Sequence, residues 1–290
     1  MYKWALFFLT LTFLLLTAPV ITSAAAVSIV NWHVSGSALW RTIFPLHTTR
    51  IDGASELYYP YAGNYVVTNY ENSISPTQTL SIELGILTGA MSNTGSDSDW
   101  DSALSKDLWS YGQFKTKAKG HFITIDWKQH TRNNTSLFYG YTYTINHYSM
   151  TDGLYSIINS VAVNEPLPTL DSHYTMIYQG PHVGIIHKAP LTKKLTATGT
   201  LSYSPWALAQ GHGWWNLRTL TFEHVGAAQL LDARVALAFT PRLQTTAITL
   251  GYRYQYLKLL KGWENTSPDI SWDKATTIRQ GYYFSGEIRF

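Results

Sequence analysis

The chain has 290 residues, a formal net charge of +3, 13% charged residues and no cysteine. Without cysteine, disulfide cross-links and thiol catalysis are excluded. The small net charge, with no basic patch among aromatic residues, argues against nucleic acid as a partner. A typical soluble domain has about 25% charged residues, whereas this chain is poor in charge and contains 20 tyrosines and 11 tryptophans. Such a composition is expected where the outer surface faces lipid.

The first 25 residues have the organisation of an export signal. Lys3 precedes an apolar run over residues 4–20, and small residues follow at positions 23–26. This order of charge, apolar core and cleavage site is typical of a secretory signal peptide. The run also approaches the length of a membrane-spanning anchor, but its small-residue tail favours cleavage. We predict a signal peptide over residues 1–25, a single domain over residues 26–290, and no helical membrane span in that domain.

Apolar and polar residues alternate through much of the remaining chain. The pattern is clear in residues 80–86, 195–204, 235–239, 247–256 and 282–290. Successive side chains of a strand point to opposite faces, and apolar residues outside with polar residues inside are typical of transmembrane barrels. We therefore predict an all-β, antiparallel, up-and-down transmembrane barrel. The last strand ends in Phe290, which resembles the terminal aromatic signal read by bacterial barrel-assembly machinery.

The predicted connections alternate between short and long. Short turns are predicted near residues 75–76, 132–134, 190–193 and 240–242, and long loops near residues 36–55, 88–112, 150–171, 206–217 and 261–275. This alternation is expected when one barrel end faces the periplasm and the other the outside. It implies about ten strands, a location in the bacterial outer membrane and extracellular long loops.

One predicted strand, residues 113–127, changes its pattern near His121. Apolar residues occupy even positions before His121 and odd positions after it, and a β-bulge would produce such a change. Lys115, Lys117 and Lys119 alternate and so share one face of this strand. We place that face in the lumen or at the membrane interface, with binding of lipopolysaccharide phosphates as a weaker alternative.

Two aspartates follow the strand at residues 80–87. Asp97 and Asp99 are separated by one residue, so in extended backbone their side chains point to the same side, about 7 Å apart. Such neighbours can hold one water molecule, and where they are partly desolvated their repulsion raises the pKa of one of them. A solvated acidic loop and a calcium-binding surface are the simpler alternatives.

The placement of Asp97-Ser98-Asp99-Trp100 in the second outer loop of such a barrel resembles the omptin family of outer-membrane endoproteases. Similar stretches are Ser55–Pro60, Gly184-Ile185, Ser204–Trp206 and Ala236–Pro241. The resemblance runs over nearly the whole mature chain. It implies an outward-facing groove in which an aspartate pair faces an aspartate–histidine couple, and a water molecule attacks the peptide carbonyl without a covalent intermediate. Asp97 and Asp99 match the aspartate pair directly.

The second couple of the family is incomplete in this sequence. Omptins have Asp-x-His in the fourth outer loop, and the matching stretch, residues 209–218, contains His212 and no aspartate. The resemblance therefore makes His212 the candidate base. Loss of an orienting acid typically costs orders of magnitude in rate. The candidates to replace it are Asp171, Asp269 and Asp273.

Two functions remain open from the sequence. The first is an omptin-like endopeptidase with Asp97, Asp99 and His212 at the groove and peptides or proteins as substrates. It needs no metal or organic cofactor, and lipopolysaccharide is the component whose effect on activity would have to be tested. The second is a non-catalytic omptin-like barrel that acts as an adhesin, contacts lipopolysaccharide or has a structural role. A small porin is a third possibility, disfavoured because the lumen of about ten strands is largely filled by side chains.

Overall fold

The computed structural model describes residues 25–45, 52–104, 106–131, 134–241 and 245–290. The predicted export signal and parts of the predicted connections at residues 36–55, 88–112, 132–134 and 240–242 lie outside this description. None of the described helical residues forms a helix long and apolar enough to cross a bilayer.

Eleven antiparallel strands and one 3-10 helix make up the described chain. The strands are β1 (Ala25–Pro45), β2 (Asp52–Ser75), β3 (Gln78–Thr88), β4 (Asn93–Trp100), β5 (Ser110–His130), β6 (Thr135–Ile158), β7 (Val161–Pro190), β8 (Leu195–Trp215), β9 (Leu220–Phe239), β10 (Thr246–Glu264) and β11 (Ser271–Arg289). The 3-10 helix, Asn216–Arg218, joins β8 to β9.

The sheet closes on itself. β1 pairs with β2 on one side and with β11 on the other. β3 and β4 follow one another between β2 and β5, because β3 pairs with Asn64–Ser75 and β4 pairs with Ala54–Tyr58 of β2. The eleven strands therefore fill ten positions around the ring, and the predicted all-β antiparallel barrel is confirmed. We call the end of the barrel that carries β4 the aspartate end. At the opposite end, which we call the terminal end, the backbone N–H of Phe290 donates a hydrogen bond to the carbonyl oxygen of Ala25.

The half of the barrel nearer the terminal end has an apolar exterior. This apolar band includes Ile29, Val66, Ile125, Val183, Leu237, Leu250 and Phe284, each more than 40% exposed. Between these residues, polar side chains such as Ser81, Glu83 and Arg253 point inward and are buried. This is the predicted apolar-out, polar-in alternation of a barrel that faces lipid.

The polarity of the two faces inverts toward the aspartate end, and β5 shows how. Its even-numbered residues point inward along the whole strand, including Phe114 and Phe122, which are 3% and 4% exposed. Lys115, Lys117 and Lys119 point outward and are exposed. The predicted bulge near His121 is therefore wrong, and the register shifts instead between Tyr111 and Lys115. The alternation of side chains along β5 is unbroken. Only the surroundings change, because toward the aspartate end the strand leaves the apolar band and its inward side chains pack in an apolar interior.

The stretches predicted as long loops are largely strand. Residues 88–112 contain β4, and residues 206–217 lie almost entirely in β8. Residues 150–171 form the ends of β6 and β7, which are joined by Asn159 and Ser160. Both have positive φ, 51° and 61°, as a two-residue hairpin turn requires. The strands therefore continue past the apolar band and build the walls of the aspartate end.

Stacked rings close the middle of the lumen. This aromatic layer consists of Trp40, Tyr59, Tyr148, Tyr174, His224 and Trp272, each at most 3% exposed. The ring centroids of Trp40 and Tyr174 are 4.8 Å apart, and those of His224 and Trp272 are 5.2 Å apart. Aromatic pairs at such separations pack favourably. The layer forms the floor of a cavity that opens at the aspartate end.

A buried ion cluster lies on the other side of the aromatic layer. Arg234 lies 2.8 Å from Glu83 and 3.0 Å from Asp232, and Arg253 lies 2.6 Å from Asp232. The guanidinium of Arg253 also lies 4.8 Å from the ring centroid of Trp32. Charges at this depth are tolerated because each has an opposite partner. Together with the aromatic layer, this cluster fills the centre of the barrel.

Candidate active site

The two aspartates lie on β4, a strand held between β2 and β5. Asp97 is opposite Leu57 and Gly112, and Asp99 is opposite Ser55 and Ser110. Both carboxyl side chains line the cavity of the aspartate end. Asp97 is only 7% exposed, so it is part of a packed wall and not of a solvated acidic loop. β4 also lies beyond the outward-facing lysines of β5, since Thr94 pairs with Lys115, which places the aspartates outside the apolar band.

Asp97 and Asp99 differ in pKa because their surroundings differ. Burial raises the pKa of Asp97 well above its ordinary value, and the charge of Asp99 raises it further, while Arg218 lowers it. Burial also raises the pKa of Asp99, but hydrogen bonds from Ser55 and Ser110, with the charge of Arg218, oppose that rise. The side-chain oxygen Oδ1 of Asp97 has no hydrogen-bond partner among the described residues. The pKa of Asp97 is therefore raised more than that of Asp99, and Asp97 is the carboxyl that keeps its proton to the higher pH.

The cavity around the pair has a volume of about 510 Å³. Most of its lining is aromatic or aliphatic, and it includes Trp40, Trp100, Trp109, Tyr155, Trp214, Trp215, Leu220, Phe222 and Ile270. Its polar members besides the pair include Arg218 and Glu264. Within the described part of the chain, no three His, Asp or Glu side chains are arranged to hold a metal ion. The site thus combines the carboxyl pair with two further acids, Asp101 and Glu264, one guanidinium and the imidazole of His173 in a largely apolar wall.

The structure does not bring His212 to this cavity. On β8 the buried residues at this level are Gly211 and Gly213, and the alternation turns His212 to the outer wall. There its Nδ1 lies 2.7 Å from Oε2 of Glu223, the residue directly opposite on β9. None of the three aspartates considered as its partner contacts it among the described contacts. Glu223 could not be found from the sequence, because the pairing depends on the register between β8 and β9.

Glycines occupy the inward positions of β8 on either side of His212. A Cβ atom on Gly211 would lie 1.9 Å from the hydroxyl oxygen of Tyr174, and one on Gly213 would lie 2.8 Å from the Tyr174 ring. The Tyr174 side chain therefore fills the space that an inward aspartate or histidine on β8 would need.

The inward-facing histidine at this level is His224, which sequence reasoning missed. It lies on β9 opposite Gly211 and opposite Glu264 of β10. Its Nδ1 is 2.7 Å from the hydroxyl oxygen of Tyr174, and its Nε2 has no partner among the described residues. Burial lowers the pKa of His224 to about 3, so the ring is neutral near pH 7 and a weak base. His224 is therefore a poor general base near pH 7, and the histidine that lines the cavity is His173.

No protein-family model matches the sequence, and no curated protein matches it. Among solved structures, the fold is similar to the outer membrane protease OmpT from Escherichia coli, with a TM-score of 0.73 and 12% identity over 92% of this chain and 96% of that chain. The autotransporter NalP translocator domain from Neisseria meningitidis, at 10% identity over 92% of this chain and 88% of that chain, has a TM-score of 0.37. The toluene transporter TbuX from Ralstonia pickettii, at 8% identity over 92% and 90%, has a TM-score of 0.34.

The likeness to OmpT defines the class of fold. The chain has the architecture of outer-membrane β-barrels, and in its overall course it is omptin-like. An identity of 12% shows the fold alone, and the TM-scores of 0.37 and 0.34 carry no further argument. What the cavity does must therefore be argued from its own residues.

Proposed function

We propose that this chain is an omptin-like endopeptidase of the bacterial outer membrane, with Asp97 and Asp99 as its catalytic residues. The observation that carries the proposal is the carboxyl pair, which shares one cavity wall and whose surroundings raise the pKa of Asp97 more than that of Asp99. Two coupled carboxyls with one shared proton supply a general base and a general acid together. This division of roles needs no histidine.

The reaction begins with a water molecule between the two carboxyls. Ionised Asp99 takes a proton from the water as its oxygen bonds to the peptide carbonyl carbon, and Asp97 gives its proton to the carbonyl oxygen. The C–N bond then breaks, the amine nitrogen takes the proton from Asp99, and a hydroxyl of the intermediate returns a proton to Asp97. The positive charge of Arg218, which acts on both carboxyls, stabilises negative charge that develops on the carbonyl oxygen.

The experiment is peptide cleavage by purified, refolded protein with and without lipopolysaccharide. We expect Asp97→Asn and Asp99→Asn each to lower the rate by about 10²- to 10⁴-fold, as is usual when a general acid or base is removed. Asp107→Asn, an exposed position in the connection between β4 and β5, is the matched control and should keep the full rate. Unchanged cleavage in the double variant of Asp97 and Asp99 would reject the assignment.

The second candidate function is a non-catalytic barrel that serves as an adhesin, a lipopolysaccharide-contacting protein or a structural protein. One observation favours it: Gly211 and Gly213 stand at the inward positions of the strand that would carry the family's second couple. In that case the cavity binds a ligand without cleaving it. A broad peptide panel left uncut by the wild-type protein, with lipopolysaccharide present, would support this candidate over the first.

The location and the lipid partners belong to the same proposal. The apolar band supports insertion into a bilayer, and the outward-facing Lys115, Lys117 and Lys119 border it, where they can meet lipopolysaccharide phosphates. Phe290, which is 75% exposed, supports recognition by barrel-assembly machinery. We place the aspartate end outside the cell. Cleavage of a protease site inserted after Asn159 in intact cells would test that orientation, and protection of the site would contradict it.

A further inference from the structure

The acids of the aspartate-end cavity other than the catalytic pair are Glu264 and Asp101. Glu264 is 6% exposed and accepts a hydrogen bond from Thr266. Burial raises the pKa of Glu264, which weakens it as an anionic partner. Asp101 is exposed at the rim. The cavity therefore offers little fixed negative charge for a cationic side chain once the catalytic pair is set aside.

The guanidinium of Arg218, which lines the cavity, also disfavours a cationic side chain there. Arg218 acts on Asp97, Asp99 and the hydroxyl of Tyr155, so its guanidinium lies near all three. A lysine or arginine side chain that entered the cavity would meet this positive charge. Like charges brought together in a partly desolvated site repel each other strongly.

The remaining wall is apolar and firmly packed. Trp40 stacks on Tyr174 beneath the opening, and Trp215 packs against the core from the end of β8. Phe222 lies 6.2 Å from Trp40, ring centroid to ring centroid. Gly213 also lines the cavity, and a Cβ there would lie 3.0 Å from the Phe222 ring. The space beside Gly213 is therefore filled by the Tyr174 and Phe222 rings, and the room for a large group is the cavity itself, of about 510 Å³.

We propose that this cavity selects a peptide side chain that is aromatic or large and aliphatic, adjacent to the bond that the aspartates face. The inference rests on the proposed function for the position of the bond, but the selection itself is a property of binding. Large apolar side chains gain most from leaving water. The flat walls of Trp40 and Phe222 suit rings in particular.

The test uses four peptides that differ only in one central residue: Phe, Leu, Arg or Asp. Binding is measured by tryptophan fluorescence in the full-length double variant Asp97→Asn/Asp99→Asn, refolded with lipopolysaccharide, and cleavage is measured in the wild-type protein. We expect the Phe peptide to bind at least about tenfold more tightly than the Arg peptide, the ratio that removal of a large apolar side chain from water supplies. Equal or tighter binding of the Arg peptide would overturn the inference.

A pair of leucine substitutions connects the selection to the cavity. Leu220 lines the cavity and is 43% exposed, whereas Leu217, at 37% exposure, is not among its lining residues. Leu220→Asp should reduce the Phe-to-Arg binding ratio at least about fivefold, because it adds a carboxylate to the apolar wall. Leu217→Asp should leave the ratio unchanged, and equal effects of both changes would contradict the inference. Selective binding of the Phe peptide without cleavage by the wild-type protein would reject the proposed function and keep the selection.

Discussion

Replacement of Asp97 by asparagine is expected to stabilise the protein while it abolishes cleavage. The Asp97 carboxyl is 7% exposed, and its Oδ1 has no hydrogen-bond partner among the described residues. A buried polar atom without a partner costs about 1–3 kcal/mol, and more when it is charged. Asparagine has nearly the same shape and cannot ionise, so it removes the titration of this position while keeping its place opposite Leu57 and Gly112.

The gain in the free energy of unfolding of Asp97→Asn over the wild type should depend on pH in a defined direction. The pKa of Asp97 is raised in the folded protein, so above the ordinary aspartate pKa the folded state binds more protons than the unfolded state. The free energy of unfolding therefore falls as pH rises from the unfolded pKa to the folded one, by about 1.4 kcal/mol for each unit of difference. Asp97→Asn removes this loss. We expect it to be more stable than the wild type by about 1–3 kcal/mol at pH 8, and equally stable near pH 3.

The assay is urea-induced unfolding in lipid vesicles, followed by tryptophan fluorescence at pH 3, 5 and 8. Asp107→Asn serves as the control, because it removes one carboxyl at an exposed position, and the gain of Asp97→Asn at pH 8 should exceed any effect of this control. A lower unfolding midpoint for Asp97→Asn at all three pH values would refute the reasoning. It would show that the carboxylate has stabilising partners in the folded protein.

Three further outcomes follow from the same structure. Cleavage should have a bell-shaped pH profile, rising as Asp99 ionises and falling as Asp97 loses its proton at higher pH; a rate that still increases up to pH 10 would contradict the shared proton. His212→Ala should change the cleavage rate less than about twofold, because surface substitutions away from a site have small effects and this side chain lies on the outer wall; a loss of a hundredfold would restore it as a catalytic residue. Glu83→Gln should lower the free energy of unfolding by about 3–5 kcal/mol, because it leaves Arg253 with one buried partner fewer; an unchanged urea midpoint would disprove a role of the ion cluster in stability.

The sequence was sufficient to predict the barrel, because the alternation of apolar and polar residues along a strand depends only on which face of the strand meets lipid. In β11, Phe284 and Ile288 point outward and Ser285 points inward, as the pattern predicts. The same rule failed in β5, where Phe114 and Lys115 exchange the expected environments. A single sequence does not tell where a strand leaves the bilayer, so apolar residues turned toward a packed interior look like lipid-facing residues out of phase.

The site was predicted only as far as local geometry allowed. Asp97 and Asp99 are two residues apart on one strand, so their shared side followed from backbone geometry. The face of His212 depended on the phase of β8, and the carboxylate beside it, Glu223, depended on pairing with β9. His224 gave no signal in the sequence, because its position in the aromatic layer results from ring contacts with residues of three other strands, β1, β7 and β11.

The central claim is that the buried pair holds one proton near neutral pH, and infrared spectroscopy tests it most directly. Isotope-edited difference spectra of the refolded protein between pH 4 and pH 10 report the carbonyl band of a protonated carboxyl. We predict a band at pH 7 that is absent in Asp97→Asn and retained in Asp107→Asn. If the wild-type and Asp97→Asn spectra are identical at pH 7, both carboxyls are already ionised and the proposed proton transfers cannot operate.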